Sequence, residues 1–313
     1  MLNVVEAAPR QTLWRGLTRR AVGPTGRRLE PYAFLSPTLV ILLILMLYPI
    51  GAVIRYSVMN NVILEKAPVF VGVANYVGIL TSPDFWVAVR NTSFFTAVSV
   101  LAHLVLGMVF ALLLNNSLLG PLAKAVFRAL FILPWLFTVA VIAVLWRLLL
   151  NPNGVINYVL QGAGLMDSKV EWLANPSIAL YAVTFINIWS GYPFYMMSLL
   201  AGLQGISSDL YEAARVDGAG GLQRFTHITI PQLRPIIVSI ALLDVIFTTQ
   251  QFALIWLTTG GGPINVTEML STFTYKLAFN QYEFSVASAS AVIIFVLSMV
   301  LAFFYVRSQR MAD

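Results

Sequence analysis

The chain has 313 residues, of which 59% are apolar and only 10% charged, with a mean hydropathy of +0.82 and a net charge of +6. A soluble domain has about a quarter of its residues charged, so an ordinary water-soluble fold is excluded and lipid is the solvent that removes the exposed apolar surface. There are no cysteines, which excludes disulfides and thiolate metal sites, and only two histidines, His103 and His227.

Six stretches have the roughly 20 mostly apolar residues that a spanning helix needs: 32–54, 91–114, 125–149, 178–203, 235–257 and 284–306. They predict an all-α integral membrane protein with six transmembrane helices. The domain reading is a basic N-terminal tail over 1–31, a six-helix transmembrane domain over 32–307 with a polar loop at 204–234, and a short C-terminus over 308–313. The fourth stretch is the most polar, with Asn187, Trp189, Ser190, Gly191, Tyr192 and Pro193. Barrel strands would read as alternating segments of about ten residues, and none is seen. The first apolar run is too long for a signal peptide, begins after some thirty residues and has no small-residue exit site.

Lys and Arg set the orientation. Arg10, Arg15, Arg19, Arg20, Arg27, Arg28, Lys124, Arg128, Arg215, Arg224, Arg234, Arg307 and Arg310 fall on one side of the predicted spans. Arg55, Lys66, Arg90, Arg147, Lys169 and Lys276 fall on the other. The richer side is cytoplasmic, which places both termini there, as an even number of spans requires. Topology thus accounts for the Arg-rich tail, and nucleic acid is not an expected partner.

The outer connections are moderate in length. The first, 57–90, predicts a short amphipathic segment around 70–80. The second, 150–177, carries the turn signal Asn151-Pro152-Asn153-Gly154. The third, 258–283, opens on Thr259-Gly260-Gly261-Gly262-Pro263, where no Lys follows as a phosphate-cradling loop requires.

The segment from Ser207 to Pro231 is the most informative. Asp209 is suited to cap a helix, with Glu212 three residues on returning to the cap N–H. Ala213 and Ala214 continue it with little bulk, and Gly218, Gly220 and Gly221 permit a reversal with φ > 0. A second short helix would run through Phe225 and Ile228 and close at Pro231. The expected product is a helix–turn–helix whose small residues admit close approach by another protein.

This pattern resembles the docking loop of the permease subunits of bacterial ATP-binding-cassette importers: Glu-Ala-Ala, three residues, Gly, nine residues, then Ile-x-Leu-Pro. Here it reads Glu212-Ala213-Ala214, Gly218 and Ile228-Thr229-Ile230-Pro231, with Ile230 in place of Leu. The resemblance extends to the sugar-importer branch, similar to the larger permease of the maltose and trehalose systems, through Leu47-Tyr48-Pro49-Ile50, through Phe70, Gly72, Asn75 and Tyr76, and through Leu257-Thr258 followed by the glycines and Pro263. The extra glycine leaves that last register ambiguous. The chain lacks the extra N-terminal helices and large outer domain of the maltose permease and looks like the compact form.

The resemblance implies the type I importer permease architecture in a bacterial inner membrane. It implies docking on an ATPase through Asp209, Glu212, Ala213, Ala214, Asp217 and Gly218. The implied partners are a second permease, a dimer of ATP-binding subunits and an extracytoplasmic sugar-binding protein. ATP and Mg would be held by the ATPase and not by this chain.

Two spans show polar faces at membrane depth. Asn187, Ser190, Gly191 and Phe194 recur at i, i+3, i+4 and i+7, and so do Asp244, Phe247, Thr248 and Gln251. Amides, hydroxyls and a ring suit a sugar, and sugar-contacting positions of the maltose branch lie on these two helices. A buried carboxylate costs roughly 3 kcal/mol or more unless it faces water or a partner. Asp244 therefore reads either as a site residue or as one half of an interhelical pair. Asn187, Gln251 and His103 read equally as hydrogen-bonding groups between helices.

No phosphate-binding Gly-x-x-x-x-Gly-Lys-Ser/Thr, no His-Glu-x-x-His and no nucleophile–His pair is present, so the chain itself is not expected to be an enzyme. The favoured function is the permease of an ATP-driven di- or oligosaccharide importer. A secondary transporter or channel is the alternative from another class, and glycerol phosphate is the alternative substrate.

Overall fold

The computed structural model describes residues 24–60, 62–63, 68–116 and 119–309. The predicted tail charges Arg10, Arg15, Arg19 and Arg20, together with Lys66 and Arg310, lie outside the described residues, as do the side chains of Arg27 and Arg28. The chain divides into two units after Ala52. The first holds α1 (Pro24–Leu42), a π turn (Leu43–Leu47) and the start of α2 (Tyr48–Ser57). Its apolar side chains, Phe34, Leu39 and Leu45 among them, are exposed along the run, as a helix solvated by lipid requires.

The second unit contains α3 (Ala74–Thr81), α4 (Pro83–Asn115), α5 (Pro121–Leu136), α6 (Val139–Leu149), α7 (Val155–Gly162), α8 (Ala179–Gln204) and α9 (Ser208–Val216). There follow α10 (Gly221–Arg224), a π turn (Phe225–Thr229), α11 (Ile230–Thr249), α12 (Ala253–Thr258), α13 (Leu270–Phe279) and α14 (Phe284–Gln309). Among the described residues the only β-type pairing is one bridge between Met59 and Phe70.

Four helical runs are long and apolar enough to cross a membrane: Phe34–Ser57, Pro83–Asn115, Gly221–Thr249 and Phe284–Arg307. Three predicted spans differ from expectation. The third is a bent pair, α5 and α6, meeting at 97°. Pro134 removes one backbone donor near the end of α5, Phe137 is extended, and the Thr138 hydroxyl accepts from Val141 N to start α6 afresh. The fourth is the 26-residue α8, about 39 Å long, whose polar centre takes it below the apolarity of the other runs. It continues as one helix through Pro193. The fifth starts earlier and ends earlier than predicted, at Thr249 rather than near 257, because the helix breaks over Gln250–Phe252 before α12.

The core is built around α4 and α8. Gly107 permits their close approach, since a Cβ there would overlap Tyr195 and sit 2.9 Å from the Met196 nitrogen. Below this contact Met108, Ala111 and Leu114 pack with Leu199, Leu203, Leu233 and Ile240. Above it Phe95, Trp146, Ile186, Leu254 and Met269 form a second cluster. A third joins Ile79, Phe85, Leu270 and Ala289.

The outer motif residues act as staples. Asn75 Nδ2 donates to the carbonyls of Ser57 (2.9 Å) and Met59 (2.8 Å), and the Tyr76 and Ser57 hydroxyls share a hydrogen bond of 2.6 Å. Gly72 is left-handed at φ +58 and turns the chain into α3.

Candidate functional site: a docking turn and a buried polar cluster on one helical run

The segment read from the sequence as a docking loop folds as a helix and a tight reversal, with different caps from those predicted. Ser207, not Asp209, is the N-cap, and its hydroxyl accepts from Asp209 N at 3.3 Å. Asp209 instead places its charge in the first turn of α9, where it complements the helix dipole. Glu212 does not reach back to a cap: it lies 3.8 Å from Arg215, both exposed. Such a pair contributes little in water, and the Glu212 carboxylate stays exposed.

Only Gly218 of the three predicted reversal glycines has positive φ, at +80. Gly218 N donates to the Arg215 carbonyl and Ala219 N to the Ala214 carbonyl, the two bonds of a Schellman motif. Gly220 begins the next helix at φ −68, and Gln223 Oε1 accepts its N–H at 2.7 Å. Ala214, Asp217, Gly218, Gln223, Arg224 and His227 surround a shallow groove of about 360 Å³.

Pro231 does not close a separate helix. Its ring removes the backbone donor that would bond residue 227, and the π turn over Phe225–Thr229 absorbs the loss, so the helix continues from Gly221 to Thr249. The Tyr211 and Thr229 hydroxyls share a hydrogen bond of 2.9 Å that ties α9 to this run. Thr229 is buried.

Deeper in the same run is Asp244. Its Oδ2 lies 2.8 Å from Nδ1 of His103 on α4, and its Oδ1 accepts from Thr248 Oγ1 at 2.8 Å. The other ring nitrogen of His103 is 3.1 Å from the Asn187 carbonyl oxygen on α8. The Tyr195 hydroxyl, on α8, donates to the Ile240 carbonyl oxygen on α11 at 3.5 Å. His103 is 2% exposed, and the Asp244 side chain 14%. One imidazole thus joins α4, α8 and α11. Gly191 makes this possible, because a Cβ there would overlap the imidazole ring.

The structure brings together Asn187, Gly191, Asp244 and Thr248 of the predicted face, and His103 is their centre. The other predicted residues sit apart from it. Ser190 Oγ donates to the carbonyl of Asn187 on its own helix, at 3.0 Å. Phe194 packs with Trp135 and Tyr195. Phe247 is 67% exposed. Gln251 lies in the break after α11, where its carbonyl accepts from Ser271 Oγ at 2.7 Å, so the predicted i+7 repeat stops at Thr248.

A further polar knot was not singled out from the sequence. Buried Glu268 forms an ion pair with Lys276 after the glycine turn. A Cβ on left-handed Gly261 would overlap both side chains. Asn91 Nδ2 on α4 donates to the carbonyls of Asn265 and Glu268, each at 3.1 Å, and Thr92 Oγ1 accepts from Leu270 N. The signal was present in Asn91 and Thr92, adjacent polar residues at the start of an apolar stretch. Among the described residues no three ionisable groups converge to hold a metal ion.

Residues 103–312 match the family described as binding-protein-dependent transport system inner membrane component. The chain is 35% identical to the trehalose/maltose transport system permease protein MalF of Thermococcus litoralis, over 89% of this chain and 93% of that one. It is 31% identical to the sulfoquinovosyl glycerol transport system permease protein SmoG of Agrobacterium fabrum, over 97% and 96%. A chain in the crystal structure of a bacterial ABC transporter involved in the import of the acidic polysaccharide alginate superposes with a TM-score of 0.79 at 25% identity, covering 92% of this chain and 97% of that one. Permeases of this kind are not themselves enzymes, and the matched region spans both the polar cluster and the docking turn. The chain belongs to the family of binding-protein-dependent transport system inner membrane components, the permeases of ABC transporters.

Proposed function

We propose that the chain is a permease subunit of an ATP-driven importer of a di- or oligosaccharide. The observation that carries this reading is the unbroken helical run from Gly221 to Thr249, which begins beside the exposed docking turn and carries Asp244. In this reading Glu212, Ala213, Ala214 and Gly218 meet a groove on a separate ATPase subunit, with Asp209 and Asp217 beside them. Closure of the ATPase pulls on α9, and the displacement reaches α11 through Tyr211 and Thr229. Both termini lie in the cytoplasm, on the side of the docking turn.

The sugar path runs past the polar face of α8 and α11. There Asp244 and Thr248 accept from or donate to sugar hydroxyls, and Phe194 offers an apolar face to the sugar's C–H groups. Asn187 and Ser190 complete the candidate set. One subunit is a small enclosure for alternating access, so a second permease shares the path. An extracytoplasmic binding protein delivers the substrate, and ATP and Mg are bound by a dimer of ATPase subunits.

An acidic saccharide is a second reading. It is favoured by relatives named for sulfoquinovosyl glycerol and for the acidic polysaccharide alginate. Against it, Asp244 is the only carboxylate in α4, α8 or α11 at the level of the cluster, and no Lys or Arg accompanies it there.

The test is purification of the tagged chain in mild detergent, then ATP hydrolysis against a saccharide panel with the binding protein present. Recovery of a second permease and an ATPase whose activity rises with sugar supports the reading. Recovery of the chain alone, from a preparation in which other complexes survive, overturns it in favour of a transporter without an ATPase.

A further inference from the structure

The polar cluster constrains where its hydrogens are. The carbonyl oxygen of Asn187 can only accept, so His103 Nε2 carries a hydrogen toward it. The 2.8 Å contact between Nδ1 and Asp244 Oδ2 requires a second hydrogen between those two atoms. Whichever of the two holds it, the pair as a whole has no net charge.

Among the described residues no other charge is placed to do this. On α4, Asp84 and Arg90 are at least thirteen residues away, roughly 20 Å along the helix. On α11, Arg234 is ten residues from Asp244, roughly 15 Å. α8 has no Asp, Glu, Lys or Arg, and Tyr195 is its ionisable group facing the pair. In α5, which packs on α8, Lys124 and Arg128 sit in the first half, and in α14, which packs on α11, Arg307 lies at the far end.

Asp244 is nevertheless the more accessible partner, at 14% against 3% for the His103 side chain. A carboxyl offers about four acceptor sites, and His103 and Thr248 account for two. That leaves room for a donor from outside the chain.

We propose that His103 is a positioning residue for the transported substrate: it holds Asp244 in a charge-neutral pair, so that the polar face selects an uncharged glycoside, one hydroxyl of which donates to a remaining acceptor site of Asp244. This deepens the carbohydrate reading above and rests on it. Gly191 then has a defined part, as the slot that lets the imidazole reach α8, and is not a sugar contact. A carboxylate left without His103 would carry an unpaired charge in a dry site, and a neutral hydroxyl would have to compete with the water that follows it.

The test uses the assembled complex in proteoliposomes, with ATP hydrolysis measured against maltose, trehalose and alginate oligosaccharide. The neutral sugars are expected to stimulate. His103→Gln keeps an amide for the Asn187 carbonyl but leaves Asp244 charged and unpaired. It should raise the half-saturating neutral sugar by roughly tenfold or more, with the maximal rate and the yield of complex nearly kept. Asp244→Asn should raise it less. The double variant His103→Gln/Asp244→Asn is uncharged again and should bind sugar better than His103→Gln alone. A purely structural His103 predicts the opposite order, so a double variant no better than His103→Gln overturns the proposal.

Stimulation by alginate oligosaccharide and by neither neutral sugar also overturns it, while leaving the carbohydrate reading in place. If no saccharide stimulates an otherwise active complex, the carbohydrate reading itself fails. The pair is read separately, without sugar, by ¹⁵N-histidine NMR of the full chain carrying His227→Gln, which leaves one histidine. The Nδ1 signal should shift when Asp244 is changed to Ala, and an unchanged signal overturns the pairing on which the proposal stands.

Discussion

Tyr211 on the docking helix α9 and Thr229 at the root of the spanning run share a 2.9 Å hydrogen bond, and no other side-chain hydrogen bond among the described residues links the two elements. Thr229 is 4% exposed, and the neighbouring Phe225, Ile230 and Ile206 pack against the α4–α8 cluster. The contact therefore joins an exposed helix to the packed core. Tyr211→Phe keeps the ring and removes the bond, at a cost of about 1 kcal/mol. The complex should still assemble, while substrate-stimulated ATP hydrolysis falls severalfold against an unchanged basal rate. Equal stimulation in the variant and the parent would remove this bond from the transmission path.

Gly218 isolates a backbone effect from a steric one. Its φ is +80, yet a Cβ there would meet nothing within 4 Å. Gly218→Ala should therefore cost roughly 1 kcal/mol through the left-handed conformation alone. Asn tolerates that region better, so Gly218→Asn should retain more coupling than Gly218→Ala, although its side chain is larger. The comparison is made by ATP hydrolysis in the assembled complex. A larger loss with Asn would assign the position to steric fit against the ATPase, not to the turn.

The docking turn was legible in the sequence because its requirements are local. A left-handed glycine after Glu-Ala-Ala is a matter of a few consecutive residues; the finer details, the Ser207 cap in place of Asp209, the single left-handed glycine and the helix that runs on through Pro231, were misread. The spans were legible as apolar runs but their ends were not. The break at Phe137–Thr138 follows from Pro134 and a threonine cap inside a run whose composition is uniform. The break at Gln250–Phe252 removes Gln251 from a face that the i, i+3, i+4, i+7 spacing had given it. The pairing of His103 with Asp244 joins residues 141 apart in sequence. Either residue read alone as a polar group in need of a partner, and only the packing of α4 against α11 says which partner.

Gly107 tests that packing directly. A Cβ there would overlap Tyr195 and lie 2.9 Å from a backbone nitrogen of α8, which cannot move as the end of a flexible chain could. Gly107→Val should force α4 and α8 apart, at a cost of about 3 kcal/mol or more. The expected result is loss of detergent-stable protein, read by size-exclusion yield. Because His103 is one turn away on the same helix, Gly107→Ala should weaken substrate stimulation even where protein is recovered.

The Glu268–Lys276 pair gives the sharpest energetic contrast. Glu268 is 2% exposed, and its Oε1 has no hydrogen-bond partner among the described residues, so Lys276 is its principal compensation. Lys276→Met leaves a buried carboxylate unpaired, a change of about 3–5 kcal/mol. Adding Glu268→Gln removes the charge, and the double variant should recover much of that loss, since an uncharged pair escapes the desolvation penalty. Gly261→Ala attacks the same pair from the turn, where its Cβ would overlap both side chains at φ +87. Thermal unfolding of the detergent-solubilised chain should rank Lys276→Met below Lys276→Met/Glu268→Gln, with Gly261→Ala near the former. A double variant as unstable as Lys276→Met would mean that the pair contributes through shape and hydrogen bonding to the loop, and that its charge is already compensated by the Asn91-held backbone around it.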